Sequence, residues 1–320
     1  MKNRKLTNND KIFIIGGRGF IGNRLASYLS KKNKKFYVGD KIDVSEKEIK
    51  LDVEDLNSLD QIAGFNCLIN LAAVHHDNVL PIRRYDDVNI RGSKNICEAA
   101  RKHNVNKIIF TSSVAIYGFA PAGTNESGEP NYFNHYGRTK YLAEQVYKNW
   151  QAEDPENRTL VIVRPTVIFG EGNRGNVYNL FKQISLGRFI MFGNGKNKKS
   201  MAYVENVVAF LEFSFSFKPG IHIYNYVDTP DLDMNSLISK TRKILFGKNN
   251  LGLKLPVFIG LSIGYFADLM SKLTGKSLPL SSIRVKKFIS TTQFSSSASK
   301  TGFVPPFTLE EALERTIRYE

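Results

Sequence analysis

The stretch IFIIGGRGFIGNRLASYL, residues 12–29, decides the fold of this chain. Four apolar residues stop abruptly at glycines, and a segment with helical spacing follows. Gly16, Gly19 and Gly22 have the G-x-x-G-x-x-G spacing between a predicted strand and a predicted helix. Glycines in this context allow a tight turn, a close approach of the backbone to a pyrophosphate, and close packing of helix against strand. The stretch therefore predicts a dinucleotide-binding site at the N-terminus of a helix.

Short apolar segments alternate with helical patterns up to about residue 170. The predicted strands are 11–15, 35–39, 67–72, 107–112 and 160–165, and the predicted helices are 20–30, 55–63, 86–103 and 136–151. This alternation is typical of a parallel sheet covered by helices on both faces, which predicts an α/β, Rossmann-type doubly wound fold. We expect residues 1–170 to form a dinucleotide-binding Rossmann domain and residues 171–320 to form mainly a smaller C-terminal substrate-binding lobe.

The composition is that of a soluble globular protein with a strong positive charge. Of 320 residues, 42% are hydrophobic and 23% are charged, and the formal net charge is +15. A solvated lysine-rich surface, an anionic membrane surface and a phosphate-bearing substrate all remain possible explanations. Nucleic acid is not expected as a partner, because no binding motif is present and aromatic residues do not alternate with the basic runs. Cys67 and Cys97 are predicted to be buried free thiols in a reducing compartment.

An unusually apolar segment, LPVFIGLSIGYFADLM, covers residues 255–270. Its uncharged part, 255–267, is shorter than the roughly 20 residues that span a bilayer. Two interpretations remain open, a buried core helix and a helix that lies in a membrane interface. The second is favoured by the basic residues around the segment, namely Lys254, Lys272, Lys276, Arg284, Lys286 and Lys287.

Two residues near the predicted cofactor site favour different cofactors, NAD and NADP. Asp40 ends the second predicted strand, where a carboxylate accepts hydrogen bonds from the adenosine ribose of NAD. Arg18, in the glycine-rich loop, could instead pair with the 2′-phosphate of NADP. We predict NAD as the cofactor and keep NADP as the alternative.

A second motif predicts the catalytic residues. Tyr136 and Lys140 are four residues apart in HYGRTKYLAEQ, so on a helix they share one face. A lysine ammonium near a phenol is expected to lower its pKa from about 10, which would let the tyrosine act as acid and base. Ser113, at the end of the fourth predicted strand, would hydrogen-bond the same substrate hydroxyl.

Together these residues resemble the extended short-chain dehydrogenase/reductase family of sugar-nucleotide epimerases and dehydratases. The motifs that carry the resemblance include GGRGFIG, TSSVAIYG, YGRTK and RPTVIFGEGNRG. The resemblance implies that Asp52 meets the adenine, that Ala72 and Ala73 line the cofactor, and that Asn89 lies behind the site. The other cofactor contacts it implies, besides the motif residues above, are Phe20, Ile21, Val53, Leu71 and Pro165.

The resemblance also implies residues for the substrate. Lys199 would hold a substrate phosphate where relatives often have arginine, and the further substrate contacts are Ser113, His75, Asn176 and Arg284. The dehydratases of the family carry an acidic pair where this chain has Ser112-Ser113-Val114, which argues against dehydration. His75 and His76 resemble a metal pair, but no further ligand has suitable spacing, so no metal is predicted. His135 is predicted to be a loop residue close to the substrate.

The activity expected from this resemblance is 4-epimerisation. FNHYGRTK, KSMAYVENVV and the C-terminal GFVPPFTLEEALERTIRYE are most similar to 4-epimerases of lipid-linked amino sugars. They imply NAD-dependent interconversion of GlcNAc and GalNAc on undecaprenyl diphosphate, through a transient 4-keto sugar. Such an enzyme would serve surface polysaccharide (O-antigen) synthesis as a cytoplasmic protein at the inner face of the plasma membrane. The alternatives are a UDP-sugar 4-epimerase, an NADPH-dependent 4-keto-sugar reductase and a non-catalytic NAD sensor, and a homodimer remains open.

Overall fold

The computed structural model describes residues 11–42, 48–76, 79–275 and 281–320. The strands are β1 (Ile12–Ile15), β2 (Phe36–Asp40), β3 (Ile49–Lys50), β4 (Cys67–Asn70), β5 (Lys107–Thr111), β6 (Thr159–Pro165), β7 (Val167–Phe169), β8 (Ile190–Phe192), β9 (Lys198–Tyr203), β10 (Gly220–Tyr226), β11 (Asp228–Asp233) and β12 (Leu253–Leu255). The α-helices are α1 (Phe20–Lys31), α2 (Arg83–Tyr85), α3 (Gly92–Lys102), α4 (His135–Ala152), α5 (Asn176–Ser185), α6 (Val204–Phe213), α7 (Met234–Phe246), α8 (Val257–Thr274), α9 (Ser282–Ile289) and α10 (Leu309–Tyr319). A π-helical segment, Asp86–Arg91, joins α2 to α3.

The chain divides into two compact units. The first contains the described residues of 1–168, 202–227 and 295–307, and the second contains those of 169–201, 228–294 and 308–320. The sequence indicated one boundary, after residue 170. In the structure the chain first passes from the first unit to the second after residue 168. Two later segments, 202–227 and 295–307, belong to the first unit again.

The first unit is built on a seven-stranded sheet in which every neighbouring pair of strands is parallel. The strand order is β10-β6-β5-β4-β1-β2-β3. This order confirms the predicted doubly wound α/β fold, and each of the five predicted strands is present. β10 was not predicted, because it comes from the region expected to form the C-terminal lobe. It pairs with the whole length of β6, from Gly220 beside Thr159 to Tyr226 beside Pro165.

The strands read as continuous apolar runs because both faces of the sheet are covered. Every residue of β1, β4 and β6 is buried. Helix α4 places Tyr147 and Trp150 against the sheet, and the Tyr147 ring lies 4.7 Å from that of Phe110. Full burial of such a side chain contributes about 1.5–3 kcal/mol. Cys67 and Cys97 are buried free thiols, as predicted.

The second unit combines short strand pairs with helices. β9 pairs antiparallel with β11, and β8 pairs parallel with β12. Helix α10 begins with a capping box, in which the Thr308 hydroxyl accepts the Glu311 N–H at 3.2 Å and the Glu311 carboxylate accepts the Thr308 N–H at 2.8 Å. Helix α10 packs on α7, and α7 packs on α5.

Helix α8 packs through small residues and exposes its large ones. Its buried residues are Gly260, Gly264 and Ala267. A Cβ at Gly260 would lie 2.7 Å from the Phe192 ring, and one at Gly264 would lie 2.8 Å from the Ser282 Cα. The outward side chains include Phe258, Tyr265, Phe266, Leu269 and Leu273, which are 53–71% exposed. The interpretation of 255–270 as a core helix is therefore wrong.

Helix α8 has 18 residues and runs past the uncharged stretch that the sequence showed. By length and composition it could cross a membrane. Only 17% of it is buried within the protein, unlike the core helices of soluble proteins that pass the same test. Lys276, one of the basic residues predicted to flank it, lies outside the described residues.

Candidate active site

The glycine-rich loop between β1 and α1 is folded tightly onto the neighbouring strands. Gly16 has φ +75° and donates its N–H to the Gly39 carbonyl at 2.9 Å. A Cβ on Gly16 would lie 2.6 Å from the backbone nitrogen of Ala72, and one on Gly22 would lie 2.5 Å from the Gly17 Cα. Both positions therefore require glycine for backbone packing, as the motif predicts.

The start of α1 has the features of a phosphate site. Gly19 is the N-cap and brings no side-chain oxygen, and the first turn contains no acidic residue. The N–H groups of this first turn and the positive end of the helix dipole therefore favour an anion bound at the N-terminus of α1. A Cβ on Gly19 would lie 3.3 Å from the Gly16 carbonyl oxygen, a tight contact with the backbone of the loop. Phe20 and Ile21 follow as the first helical residues. The loop thus fits a dinucleotide pyrophosphate.

Asp40 lies at the end of β2, beside the glycine-rich loop. Its carboxylate accepts the Arg18 N–H at 3.0 Å and the Ile42 N–H at 3.2 Å. The Arg18 guanidinium forms an ion pair with Glu48, with Nη1 and Oε2 2.6 Å apart. Asp40 therefore has the position expected of a ribose-binding carboxylate, and Arg18 has an acidic partner that the sequence did not reveal.

The other predicted cofactor residues follow or end strands of the sheet. The Asp52 carboxylate closes a turn by accepting the Glu54 N–H at 3.0 Å. Val53 is buried against Gly92, where a Cβ would lie 2.7 Å from the Val53 side chain. Leu71, Ala72 and Ala73 directly follow β4, and Pro165 ends β6, so these residues lie at the carboxyl edge of the sheet.

Asn89 ties the segment after β4 to the catalytic helix. Its side-chain amide accepts the Val74 N–H at 2.8 Å and donates to the Val74 carbonyl at 3.0 Å. It also donates to the Thr139 hydroxyl on α4 at 2.9 Å. Asn89 is buried and links these two segments through its side chain, and its part in the site stays a prediction.

Ser113, Tyr136 and Lys140 are brought together by β5 and α4. Ser113 follows β5, and its hydroxyl accepts the Ala115 N–H at 3.1 Å. Gly137 lets α4 approach closely, since a Cβ there would lie 2.4 Å from the Ala115 carbonyl oxygen. The Lys140 ammonium donates to the Thr111 carbonyl at 2.7 Å. The three predicted catalytic residues therefore converge at the end of β5.

The expected lowering of the Tyr136 pKa is not what the structure shows. Burial raises the pKa of Tyr136 to about 12, and a hydrogen bond from Ser113 acts in the opposite direction. Burial also lowers the pKa of Lys140 to about 7, against the opposing charge of Glu144. The Lys140 nitrogen lies 5.9 Å from the Tyr136 ring centroid and is engaged with a backbone carbonyl. Desolvation of both groups therefore outweighs their mutual effect.

A buried ion pair beneath Lys140 was not predicted from the sequence. Glu144, one turn after Lys140, accepts two hydrogen bonds from the Arg164 guanidinium, at 2.9 and 2.6 Å. Arg164 also donates to the Tyr117 hydroxyl at 2.6 Å, which in turn donates to the Asn225 side chain at 2.9 Å. The resulting network links α4, β6 and β10. Its members are far apart in sequence, so no local pattern could have indicated it.

The histidines lie near the segment after β4. The pKa of His75 is lowered by burial and by the nearby His76, whose ring centroid is 4.3 Å away. His135 is the first residue of α4 rather than a loop residue, and its ring stacks on that of Tyr85 at 5.9 Å. Among the described residues, no group of three or more His, Cys, Asp or Glu side chains is suited to hold a metal.

Three predicted substrate residues belong to the second unit. Asn176 begins α5 and is exposed, and Arg284 is an exposed residue of α9. The Lys199 ammonium donates to the Lys287 carbonyl at 2.8 Å and to the Ser290 carbonyl at 2.6 Å, and burial lowers its pKa to about 8. Lys199 thus binds carbonyls at the end of α9, and its role toward a phosphate stays a prediction.

Residues 12–225 match the NAD dependent epimerase/dehydratase family, and the chain belongs to that family. This membership confirms the predicted family, its NAD cofactor and its class of enzyme. The chain is 45% identical to N-acetyl-alpha-D-glucosaminyl-diphospho-ditrans,octacis-undecaprenol 4-epimerase of Escherichia coli O157:H7, over 98% of this chain and 96% of that protein.

Solved structures show the same fold. The UDP-glucose 4-epimerase of Thermotoga maritima with UDP-glucose has a TM-score of 0.76 at 22% identity, covering 97% of this chain and 98% of that one. The UDP-glucose 4-epimerase of Thermus thermophilus in complex with NAD has a TM-score of 0.73 at 18% identity, with the same coverage.

Proposed function

We propose that this protein is an NAD-dependent 4-epimerase that interconverts GlcNAc and GalNAc linked through a diphosphate to undecaprenol. The observation that carries the proposal is the 45% identity, over nearly the full length of both chains, to the enzyme of that name. The convergence of Ser113, Tyr136 and Lys140 at the end of β5 supplies acid–base chemistry for it. The product would serve surface polysaccharide (O-antigen) assembly.

The residues of this chain account for the proton part of the reaction. The glycine-rich loop and Asp40 would hold NAD, which when bound accepts a hydride from carbon 4 of the sugar and later returns it. Tyr136 takes the proton of the carbon 4 hydroxyl as a 4-keto sugar forms, and it gives a proton back when the opposite face is reduced. Ser113 would orient that hydroxyl, and Lys140 would hold the nicotinamide ribose. Hydride and proton are both returned, so no external reductant is needed.

We propose that the exposed face of α8 binds the membrane that holds the lipid-linked substrate. Its aromatic and aliphatic side chains would enter the interface of an anionic cytoplasmic leaflet, beside a sugar that cannot leave the bilayer. Helix α9 packs on α8, since the Ser282 N–H donates to the Asp268 carboxylate at 3.2 Å and the Lys286 ammonium lies 5.4 Å from the Tyr265 ring centroid. Basic residues so placed contribute about 1 kcal/mol each on an anionic surface. They are Lys254, Lys272, Arg284, Lys286 and Lys287.

Separate incubations with the two sugar carriers test the substrate. The purified protein is given undecaprenyl-diphosphate-linked GlcNAc or UDP-GlcNAc, without added cofactor, and the 4-epimer is measured. We expect turnover of the lipid-linked sugar and little of the nucleotide sugar. Preferential turnover of UDP-GlcNAc would make the protein a UDP-sugar 4-epimerase. Failure to epimerise either GlcNAc carrier, together with stoichiometric oxidation of NADPH when a 4-keto sugar is supplied, would instead make it a 4-keto-sugar reductase.

Vesicle flotation tests the membrane assignment. We expect the protein to float with phosphatidylglycerol-containing vesicles, less at high salt and less in Phe258→Ser and Phe266→Ser. Phe246→Ser, an exposed residue of α7, is the matched control and should float like the wild type. Circular dichroism confirms that each variant is folded. Failure of the wild type to bind such vesicles would refute the assignment.

A further inference from the structure

Arg18 lies where a basic side chain could bind the 2′-phosphate of NADP, yet its guanidinium already pairs with an acidic residue. Its backbone N–H donates to the Asp40 carboxylate at 3.0 Å, so Arg18 directly adjoins the expected ribose position. Its guanidinium points to Glu48, with Nη1 and Oε2 2.6 Å apart. The Arg18 side chain is 37% exposed and that of Glu48 is 21% exposed, so the pair lies at the protein surface beside Asp40.

The second cation beside Asp40 also has an acidic neighbour. The Lys41 ammonium lies 3.9 Å from the Glu54 carboxylate. Glu54 in turn accepts two hydrogen bonds from the Arg84 guanidinium, at 2.6 and 2.8 Å. A 2′-phosphate needs a nearby arginine or lysine to balance its charge. Arg18, whose backbone contacts Asp40, and Lys41, which follows Asp40 in sequence, therefore both lie beside glutamates.

We propose that Glu48 is a specificity-determining residue that holds the Arg18 guanidinium and thereby favours NAD over NADP. A 2′-phosphate would have to displace the Glu48 carboxylate from Arg18 and would add negative charge beside Asp40 and Glu48. The ribose diol of NAD requires neither change. This inference concerns cofactor choice only and does not depend on the identity of the sugar.

Binding of NAD and NADP, measured by isothermal titration calorimetry on purified protein freed of its bound nucleotide, tests this role. Glu48→Gln keeps the shape of the side chain but releases Arg18. We expect it to raise NADP affinity by about tenfold, the size of one charge-assisted hydrogen bond, and to change NAD affinity less than about twofold. In the double variant Arg18→Gln/Glu48→Gln, the gain in NADP affinity should disappear.

Two further variants keep the test decisive. Arg18→Gln alone should not raise NADP affinity, because it removes the guanidinium that could bind the 2′-phosphate and leaves the Glu48 carboxylate in place. Glu153→Gln is the matched control, because Glu153 is 41% exposed and forms ion pairs elsewhere in the first unit, with Arg101 at 2.6 Å and with Arg158 at 2.7 Å. An unchanged NAD-to-NADP ratio in Glu48→Gln would overturn the proposal. It would also fail if the double variant kept the gain, since lost negative charge alone would then explain the effect.

Discussion

The catalytic region of the first unit and helix α8 of the second use glycine for the same physical purpose with opposite results. Gly16 and Gly137 let backbone segments approach so closely that polar side chains converge and are buried. Gly260 and Gly264 also allow close packing, but the opposite face of α8 presents large apolar side chains to the outside. A glycine pattern therefore predicts close approach. What that approach builds depends on the other residues of each element.

The largest expected effect breaks the chemistry of the catalytic region. Tyr136→Phe removes the hydroxyl that must move a proton, so we expect turnover to fall by about 10²–10⁴-fold, the usual contribution of general acid–base catalysis. NAD binding and the melting temperature should stay close to those of the wild type. Single-turnover conversion of the lipid-linked sugar measures the effect.

Tyr141→Phe is the matched control for this prediction. Tyr141 lies on the same helix, and its ring is 6.2 Å from that of Tyr132. We expect this variant to keep turnover within a fewfold of the wild type. A Tyr136→Phe variant with near wild-type turnover would remove Tyr136 from the proposed mechanism.

The next largest effect is on stability. Glu144→Gln removes one partner of the buried pair with Arg164, and leaving a buried charge unpaired costs about 3–5 kcal/mol. Urea unfolding should show a loss of that size. Glu153 is 41% exposed and pairs with Arg101 and Arg158, so Glu153→Gln should cost only about 1 kcal/mol. Equal losses in the two variants would contradict the importance of burial for this pair.

The packing of α8 is tested by a substitution on its buried side. A Cβ at Gly264 would lie 2.8 Å from the backbone of Ser282, so Gly264→Ala forces α8 and α9 apart. We expect the free energy of unfolding to fall by about 1–3 kcal/mol, the usual cost of overpacking. Denaturant unfolding measures it. An unchanged free energy would mean that the two helices separate without cost.

The contrast between the two regions also explains what the sequence could predict. The glycine-rich loop and the Tyr136–Lys140 pair are local patterns, so their spacing alone placed them on the right elements. The Glu144–Arg164 and Arg18–Glu48 pairs join residues about 20 to 30 positions apart, and β10 joins β6 from beyond residue 200. Their pairing depends on topology. The direction of the Tyr136 pKa shift was missed because it depends on burial, which no spacing reports.

The burial of Lys140 predicts a pH dependence of stability. Its pKa is about 7 in the folded protein against 10.5 as the ordinary value, so between these values the unfolded chain binds the extra proton. Stability from this group is therefore constant below pH 7 and rises from pH 7 toward 10.5, by up to about 1.4 kcal/mol per pH unit. Urea unfolding gives the free energy of unfolding of the wild type and of Lys140→Met at about pH 7 to 9. The difference between the two free energies isolates the contribution of Lys140. A difference that stays flat would contradict it.

The smallest expected effect concerns the exposed face of α8. Phe258 is 68% exposed, so Phe258→Ser removes little buried apolar surface, and the free energy of unfolding in solution should change by no more than about 0.5 kcal/mol. A hydrophobic side chain that packs in a core would cost several times more, as for large-to-small core substitutions. Urea unfolding in the absence of vesicles measures the difference. Repeating it for Phe266→Ser, which is 63% exposed in the wild type, tests a second position of the same face. If either variant lost several kcal/mol of unfolding free energy, that side chain would be packed against the protein in solution. Helix α8 would then resemble the catalytic region, whose converging side chains are buried. A negligible loss, together with reduced vesicle flotation, would mean that this face acts only when it meets a membrane.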